Sequence, residues 1–205
     1  MSNKVFTSKI GIDIDNVISE SYPKYLENFN RQFDMQVSIE EITDFYYLDK
    51  IKNKVKLKHI KKAVNYVDEL ILDEKFQLNL PPTEGAVEVI GKIARRGFQI
   101  HYVTARPIKV RNITLQWLKK HGYWLTGARL DLYDENKNYP SDIEYKIGAV
   151  TRYGLSVFIE DNLEIAKAMP IPVFLFDWPW NRSENPENVI RVKTWKEIER
   201  KLLND

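Results

Sequence analysis

Along this chain, short apolar runs rich in strand-forming residues, the first with apolar positions at every second residue, alternate with stretches whose apolar spacing lengthens to three and four. KIGID near residue 10, FQIHYVT near 100, ARLDLY near 130, SVFIED near 158, PVFLFD near 175 and VIRV near 190 read as strands. The stretches between most of them carry helix signals. TEGAVEVIGKIARRG offers Thr83 as an N-cap, places Val87, Ile90 and Ile93 at helical spacing, and closes at Gly97. IKVRNITLQWLKKHG ends in lysines and Gly122, and SDIEYKIGAVTRYG runs from Ser141 to Gly154. Strands alternating with helices predict an α/β fold, a Rossmann-like parallel sheet with helices on both faces.

One region breaks the alternation. From about Val17 to Leu80 only helical patterns occur, in SESYPKYLENFNRQF and KHIKKAVNYVDELILDEKF, with Ile60, Val64, Val67 and Ile71 forming one apolar stripe. Pro81 and Pro82 close the region. The expectation is a small helical cap, residues 17–80, inserted after the first strand of an α/β core made of residues 1–16 and 81–205. Lys50 to Lys62 is the densest basic run; a solvated face whose lysine stems cover apolar surface is preferred over a lure for anionic ligands.

Composition narrows the field. The chain has 205 residues, a net charge of +2 and no cysteine. Disulfides, thiolate metal sites and cysteine nucleophiles are therefore excluded. The small net charge argues against a nucleic-acid partner or a membrane surface. The first fifteen residues carry no apolar stretch of signal-peptide length and no segment could span a bilayer, so the expected location is cytoplasmic.

In a doubly wound sheet, ligands bind beyond the carboxyl ends of the strands, so the residues just after each strand are the candidates. After the first come Asp13 and Asp15, two positions apart and leaving one face of an extended segment together. Two such carboxylates oppose each other's ionisation unless a cation or proton relieves them. After the second strand come Thr104, Ala105 and Arg106, and after the fourth Glu160 and Asp161, with Lys146 in the helix leading to it. This set suits Mg²⁺-assisted phosphoryl transfer: oxygen ligands for the ion, a carboxylate able to form an aspartyl-phosphate, and a lysine and hydroxyl to screen the phosphate's charge.

Asp-Ile-Asp-Asn-Val after the first strand, then Thr104, Lys146 and Glu160-Asp161 in order, resembles the four motifs of the haloacid dehalogenase (HAD) superfamily of phosphatases. The resemblance covers nearly the whole chain, inserted cap included. YVTARP with the ITLQWLKKHG helix, and the late VFLFDWPWN, are similar to the 5'(3')-deoxyribonucleotidase family and its bacterial relatives. The resemblance implies a Mg²⁺-dependent phosphohydrolase acting on small phosphorylated metabolites, foremost nucleoside monophosphates. It implies Asp13 as nucleophile and metal ligand, and Asp15 as acid, then base, with its backbone carbonyl on the metal. Thr104 and Lys146 would hold the phosphoryl group, Asp161 would complete the metal site, and Glu160 would act from just outside it. Where the family often has Asp-Asp, this chain has Glu160-Asp161.

Other residues keep two readings. Phe45, Tyr46 and Tyr47 stack on a nucleobase or pack between cap and body. Arg106 pairs with phosphate or with a neighbouring acid, and Thr104 also suits a helix N-cap. Trp178 and Trp180 are expected to pack a rigid loop bordering the site. His101 is expected in the core with its hydrogen bonds satisfied, and His59 and His121 on helix surfaces. Three histidines without metal spacing argue against zinc. Activity on polynucleotide ends or sugar phosphates, and a non-catalytic module binding phosphorylated ligands, stay open as alternatives, as does a homodimer.

Overall fold

The computed structural model describes residues 8–45 and 65–203. Six parallel strands form one sheet in the order β3-β2-β1-β4-β5-β6. They are β1 (Lys9–Ile12), β2 (Gln99–Pro107), β3 (Arg129–Tyr133), β4 (Val157–Glu160), β5 (Val173–Phe176) and β6 (Val189–Val192). All six runs read from the sequence are therefore strands. The chain winds outward from β1 through β2 to β3, then returns to the other side of β1 for β4, β5 and β6, so the direction of winding reverses between β1 and β4. Ile10 pairs with Ile100 on one side and Val157 on the other. Between them Gly11 allows close approach, since a Cβ there would collide with the Phe158 ring.

Helices cover both faces. After α1 (Ser21–Phe33), α2 (Tyr66–Leu72) and α3 (Glu74–Leu78) come α4 (Ala86–Arg95), α5 (Arg111–Lys120), α6 (Asp142–Tyr153), α7 (Leu163–Ala168) and α8 (Trp195–Leu203). α4, α5 and α8 bury Ile90, Ile93, Trp117, Trp195 and Ile198 with Ile10 and Ile12 of the sheet. On the other face α6 and α7 bury Tyr145, Ala149, Val150 and Ala166 against Val103, Phe158 and Leu175. Among the described residues no helix is long and apolar enough to cross a membrane.

Several local expectations shift. α4 starts at Gly85, with φ of 74°, rather than at Thr83, whose N–H instead donates to the Ile18 carbonyl. That start turns Val89 inward and leaves Val87 exposed. The stripe through Val67 and Ile71 is cut at Asp73, whose extended backbone ends α2 and whose side chain accepts from the Phe76 N–H to cap α3. Ile60, Val64, His59 and the Lys50–Lys62 run lie outside the described residues.

α1, α2 and α3, all between β1 and β2, gather a third cluster: Tyr22, Tyr25, Leu26, Phe29, Phe33 and Ile42 with Trp180. The two joints of this insertion lie side by side, with Ser19 bridged to Pro82 and the Glu20 N–H donating to the Pro81 carbonyl. Trp117 and Trp195 anchor them by donating to the carbonyls of Leu80 and Val17.

His101 lies in β2 at 2% exposure, but neither ring nitrogen has a hydrogen-bond partner, contrary to the satisfied core histidine expected. Burial, then the charges of Arg129 and Lys9, push its pKa down to about 4. Because the folded-state value lies below the unfolded one, the unfolded chain binds the extra proton, and stability is lost as pH falls from about 6.5 towards 4. Between pH 7 and pH 5 the loss is on the order of 2 kcal/mol. Urea melts at both pH values test this: His101→Phe should lack that component, and an equal pH response in both proteins would contradict it. His121 is likewise less exposed than expected, half-buried with its ring 4.7 Å from that of Trp117.

Candidate active site

The carboxyl ends of β1, β2 and β4 and the start of α6 bring the predicted residues together at the point where the winding reverses, the place ligands occupy in such sheets. Asp13, Asp15, Thr104, Ala105, Arg106, Lys146, Glu160 and Asp161 all line one cavity of about 340 Å³. Phe45 joins them from the insertion, with Tyr22, Tyr25, Val67 and Ile71. Tyr46 and Tyr47 lie outside the described residues.

Lys146 is the hub. It is 1% exposed and its Nζ lies 2.9 Å from Asp13 Oδ2 and 2.8 Å from Glu160 Oε2. Burial disfavours its charge, yet the two carboxylates override this and raise its pKa. Glu160, wholly buried, uses its other oxygen to accept from the backbone N–H groups of Asp161 and Asn162, at 3.1 and 3.2 Å. The longer side chain thus reaches back to tie the β4 turn and holds Lys146 over the cavity floor.

Asp13 has its N–H bonded to the Ile159 carbonyl, fixing the strand end, while its Oδ1 is buried with no partner. Burial is the chief cause that pushes its carboxyl up to about 8, with Lys146 opposing. Asp161 is raised as well, by burial and then by Glu160 and Asp13. Carboxylate oxygens of Asp13, Glu160 and Asp161 lie within 4.8 Å of one another. Six carboxylates, Asp13, Asp15, Asp68, Asp142, Glu160 and Asp161, line the cavity against Lys146 and Arg106. Clustered carboxylate oxygens, one of them buried without a partner, fit a divalent, oxygen-seeking ion such as Mg²⁺.

Arg106 takes the acid rather than standing free. Its Nε and Nη2 donate to Asp15 Oδ2 and Oδ1 at 2.8 and 2.7 Å, a bidentate pair. Burial works against the Asp15 charge, but Arg106 outweighs it and holds the carboxyl below its ordinary value. Thr104 lies within β2 and does not cap a helix; its Oγ1 accepts from the Arg106 N–H at 3.3 Å.

Asn16 escaped the sequence reading. Its Nδ2 donates to Asp161 Oδ2 at 3.0 Å, and its Oδ1 accepts from the Tyr22 N–H and Ser21 Oγ. It sits at φ of 59°, a left-handed backbone that asparagine tolerates. Trp180 does more than pack: its Nε1 donates to the same Asp161 oxygen at 3.2 Å, while Asn181 donates to the Asp161 carbonyl. Trp178 lies stacked on Trp180, with ring centroids 4.9 Å apart. Asp161 therefore cannot swing freely.

A strand-end carboxylate group at the winding switch, with a buried lysine and a threonine, defines the class: a phosphoric monoester hydrolase on the haloacid dehalogenase fold. Residues 7–142 match the model of the family described as 5' nucleotidase, deoxy (pyrimidine), cytosolic type C protein, and the chain belongs to that family. It is 27% identical to YqfW of Bacillus subtilis, over 96% of this chain and 94% of that protein. It is 26% identical to a 5'(3')-deoxyribonucleotidase of Bacillus subtilis, over 95% of this chain and 98% of that protein. Among solved structures, the HAD hydrolase YfnB of Bacillus subtilis, crystallised with magnesium, superposes with a TM-score of 0.59. At 12% identity, covering 97% of this chain and 99% of YfnB, that likeness shows the fold.

Proposed function

We propose that this protein is a cytoplasmic, Mg²⁺-dependent phosphatase that hydrolyses nucleoside monophosphates through a phosphorylated aspartate, with residues 17–80 acting as a cap over the leaving group. The observation that carries this is Asp13 Oδ1, buried and unpartnered, on a side chain that lines one cavity with Thr104, Lys146 and Asp161. A free carboxylate oxygen at that depth is otherwise costly, and phosphorus is an electrophile it can meet. Magnesium bound in YfnB and the nucleotidase relatives support the same reading.

Asp13, Asp161 and the Asp15 carbonyl would hold Mg²⁺, with Glu160 behind them. The ion supplies charge neutralisation that lets a phosphate dianion approach a carboxylate. Thr104, the Ala105 backbone and Lys146 hold the phosphoryl oxygens. Freed from Arg106, Asp15 first takes up a proton from solvent; Asp13 then forms a bond to phosphorus as the ester P–O bond breaks, and Asp15 gives that proton to the departing sugar oxygen. Water then attacks, Asp15 takes its proton, and the bond to Asp13 breaks to release inorganic phosphate. For this, Arg106 has to let go of Asp15, and the incoming phosphate is the anion that competes for the guanidinium.

The reading is tested by a panel of nucleoside monophosphates, sugar phosphates, 3'-phosphorylated oligonucleotides and p-nitrophenyl phosphate, with Mg²⁺ and with chelator. Mg²⁺-dependent turnover led by a nucleoside monophosphate is expected. A preference for oligonucleotide ends, or binding without turnover of any ester, would overturn it.

A further inference from the structure

Two side-chain donors converge on one oxygen of Asp161. Asn16 Nδ2 lies 3.0 Å and Trp180 Nε1 3.2 Å from Asp161 Oδ2, and all three residues are buried. Two donors use up the accepting capacity of that oxygen, while among the described residues no hydrogen bond reaches Oδ1. The carboxylate thus has one oxygen held by the protein and one left for a ligand.

Neither donor is independent of the insertion. Asn16 Oδ1 accepts from the Tyr22 N–H and from Ser21 Oγ, at the start of α1. The Trp180 ring stacks on Tyr22 and on Trp178, with centroids 4.9 Å apart in each case, and Trp178 Nε1 donates to the Asn16 carbonyl. Trp180 belongs to the loop after β5, yet it packs in the cluster of α1 with Tyr22, Tyr25 and Phe29. Asn181 anchors the same loop to the core by donating to the carbonyls of Phe176 and Asp161, both at 2.7 Å. The backbone of the loop is therefore fixed by the sheet, and its indole is set by the insertion.

Packing alone calls for some acceptor for a buried indole N–H. It does not call for a carboxylate that clusters with Asp13 and Glu160, nor for a second donor tied to the same end of α1. Groups that orient a metal ligand are worth about 10- to 100-fold in metal affinity.

Resting on the Mg²⁺ reading above, we propose that Trp180 is a positioning residue for the ion: its N–H fixes Asp161, and its stack on Tyr22 makes Mg²⁺ affinity depend on how the insertion packs. The linkage is reciprocal, so bound Mg²⁺ favours the packed insertion by the same factor.

The test is calorimetric titration of Mg²⁺ into the substrate-free protein, for the wild type, Trp180→Phe, Tyr22→Leu and the double variant. Trp180→Phe keeps an aromatic ring and loses the N–H, and affinity should fall about tenfold. Tyr22→Leu should weaken binding about fivefold alone and less than about twofold in the Trp180→Phe background, because the indole carries its effect. Replacing the Trp180 indole by benzothiophene, which has the same shape and no N–H, should reproduce the tenfold fall even where phenylalanine impairs folding. A merely structural Trp180 would move metal-free melting and leave the affinity unmoved. Wild-type affinity in the protein lacking the N–H overturns the inference, and so does a double variant whose two losses multiply. A wild type that binds no Mg²⁺ overturns the Mg²⁺ reading and this inference with it.

Discussion

Asp13→Asn lowers Mg²⁺-supported phosphatase turnover by about 10³-fold or more, because an amide oxygen is no nucleophile and the reaction has no second route through this site. The variant remains folded. The amide is the same size, Lys146 keeps Glu160 at 2.8 Å, and a buried carboxyl whose pKa is pushed up to about 8 is removed. Metal-free melting temperature is therefore expected to hold or rise, while the rise on adding Mg²⁺ shrinks. Stability and activity move apart, which separates a lost nucleophile from a damaged fold. Turnover within tenfold of wild type would refute the assignment of Asp13.

The second large effect is on the fold itself. Lys146→Met strands two buried carboxylates, Asp13 and Glu160, which share its ammonium at 2.9 and 2.8 Å. Breaking a buried pair from one side costs about 3–5 kcal/mol, since the remaining charges lose their partner without regaining water. In a domain of this size that is a fall in melting temperature of roughly 10 °C. Phosphatase activity vanishes with it. Pairing the change with Glu160→Gln should recover part of the loss, because one stranded charge is then neutral. A single variant within about 1 kcal/mol of wild type would mean that Lys146 is not the electrostatic hub of the site.

How much of this was legible beforehand depended on whether a feature repeats. Apolar, β-rich runs located all six strands, since a parallel sheet covered by helices on both faces buries consecutive residues such as Val173–Phe176. Knowing where strands end located Asp13, Asp15, Thr104, Glu160 and Asp161, because a parallel sheet presents its carboxyl ends along one edge, and Lys146 was found on the helix leading to the fourth strand. Features carried by one residue were less visible. Asp73 cuts an otherwise continuous apolar stripe by capping α3, and Gly85 takes over the helix start from Thr83 through a left-handed turn. Asn16 and Trp180 act on Asp161 from loops, where no period marks a functional position. Arg106 suited phosphate and acid equally on sequence; only the fold, by setting Asp15 across from it, decides which it meets first. His101 lies correctly in the core, yet sequence cannot tell whether a buried imidazole finds partners.

The central claim is that Asp13 takes the phosphoryl group and Asp15 completes the cycle. Intact-mass analysis of Asp15→Asn, mixed with a nucleoside monophosphate and Mg²⁺, tests it most directly. Without the base that activates water, the protein should accumulate one phosphoryl group, mapped to Asp13 and absent when Asp13 is also replaced. Unmodified protein that still releases inorganic phosphate at the wild-type rate would contradict it.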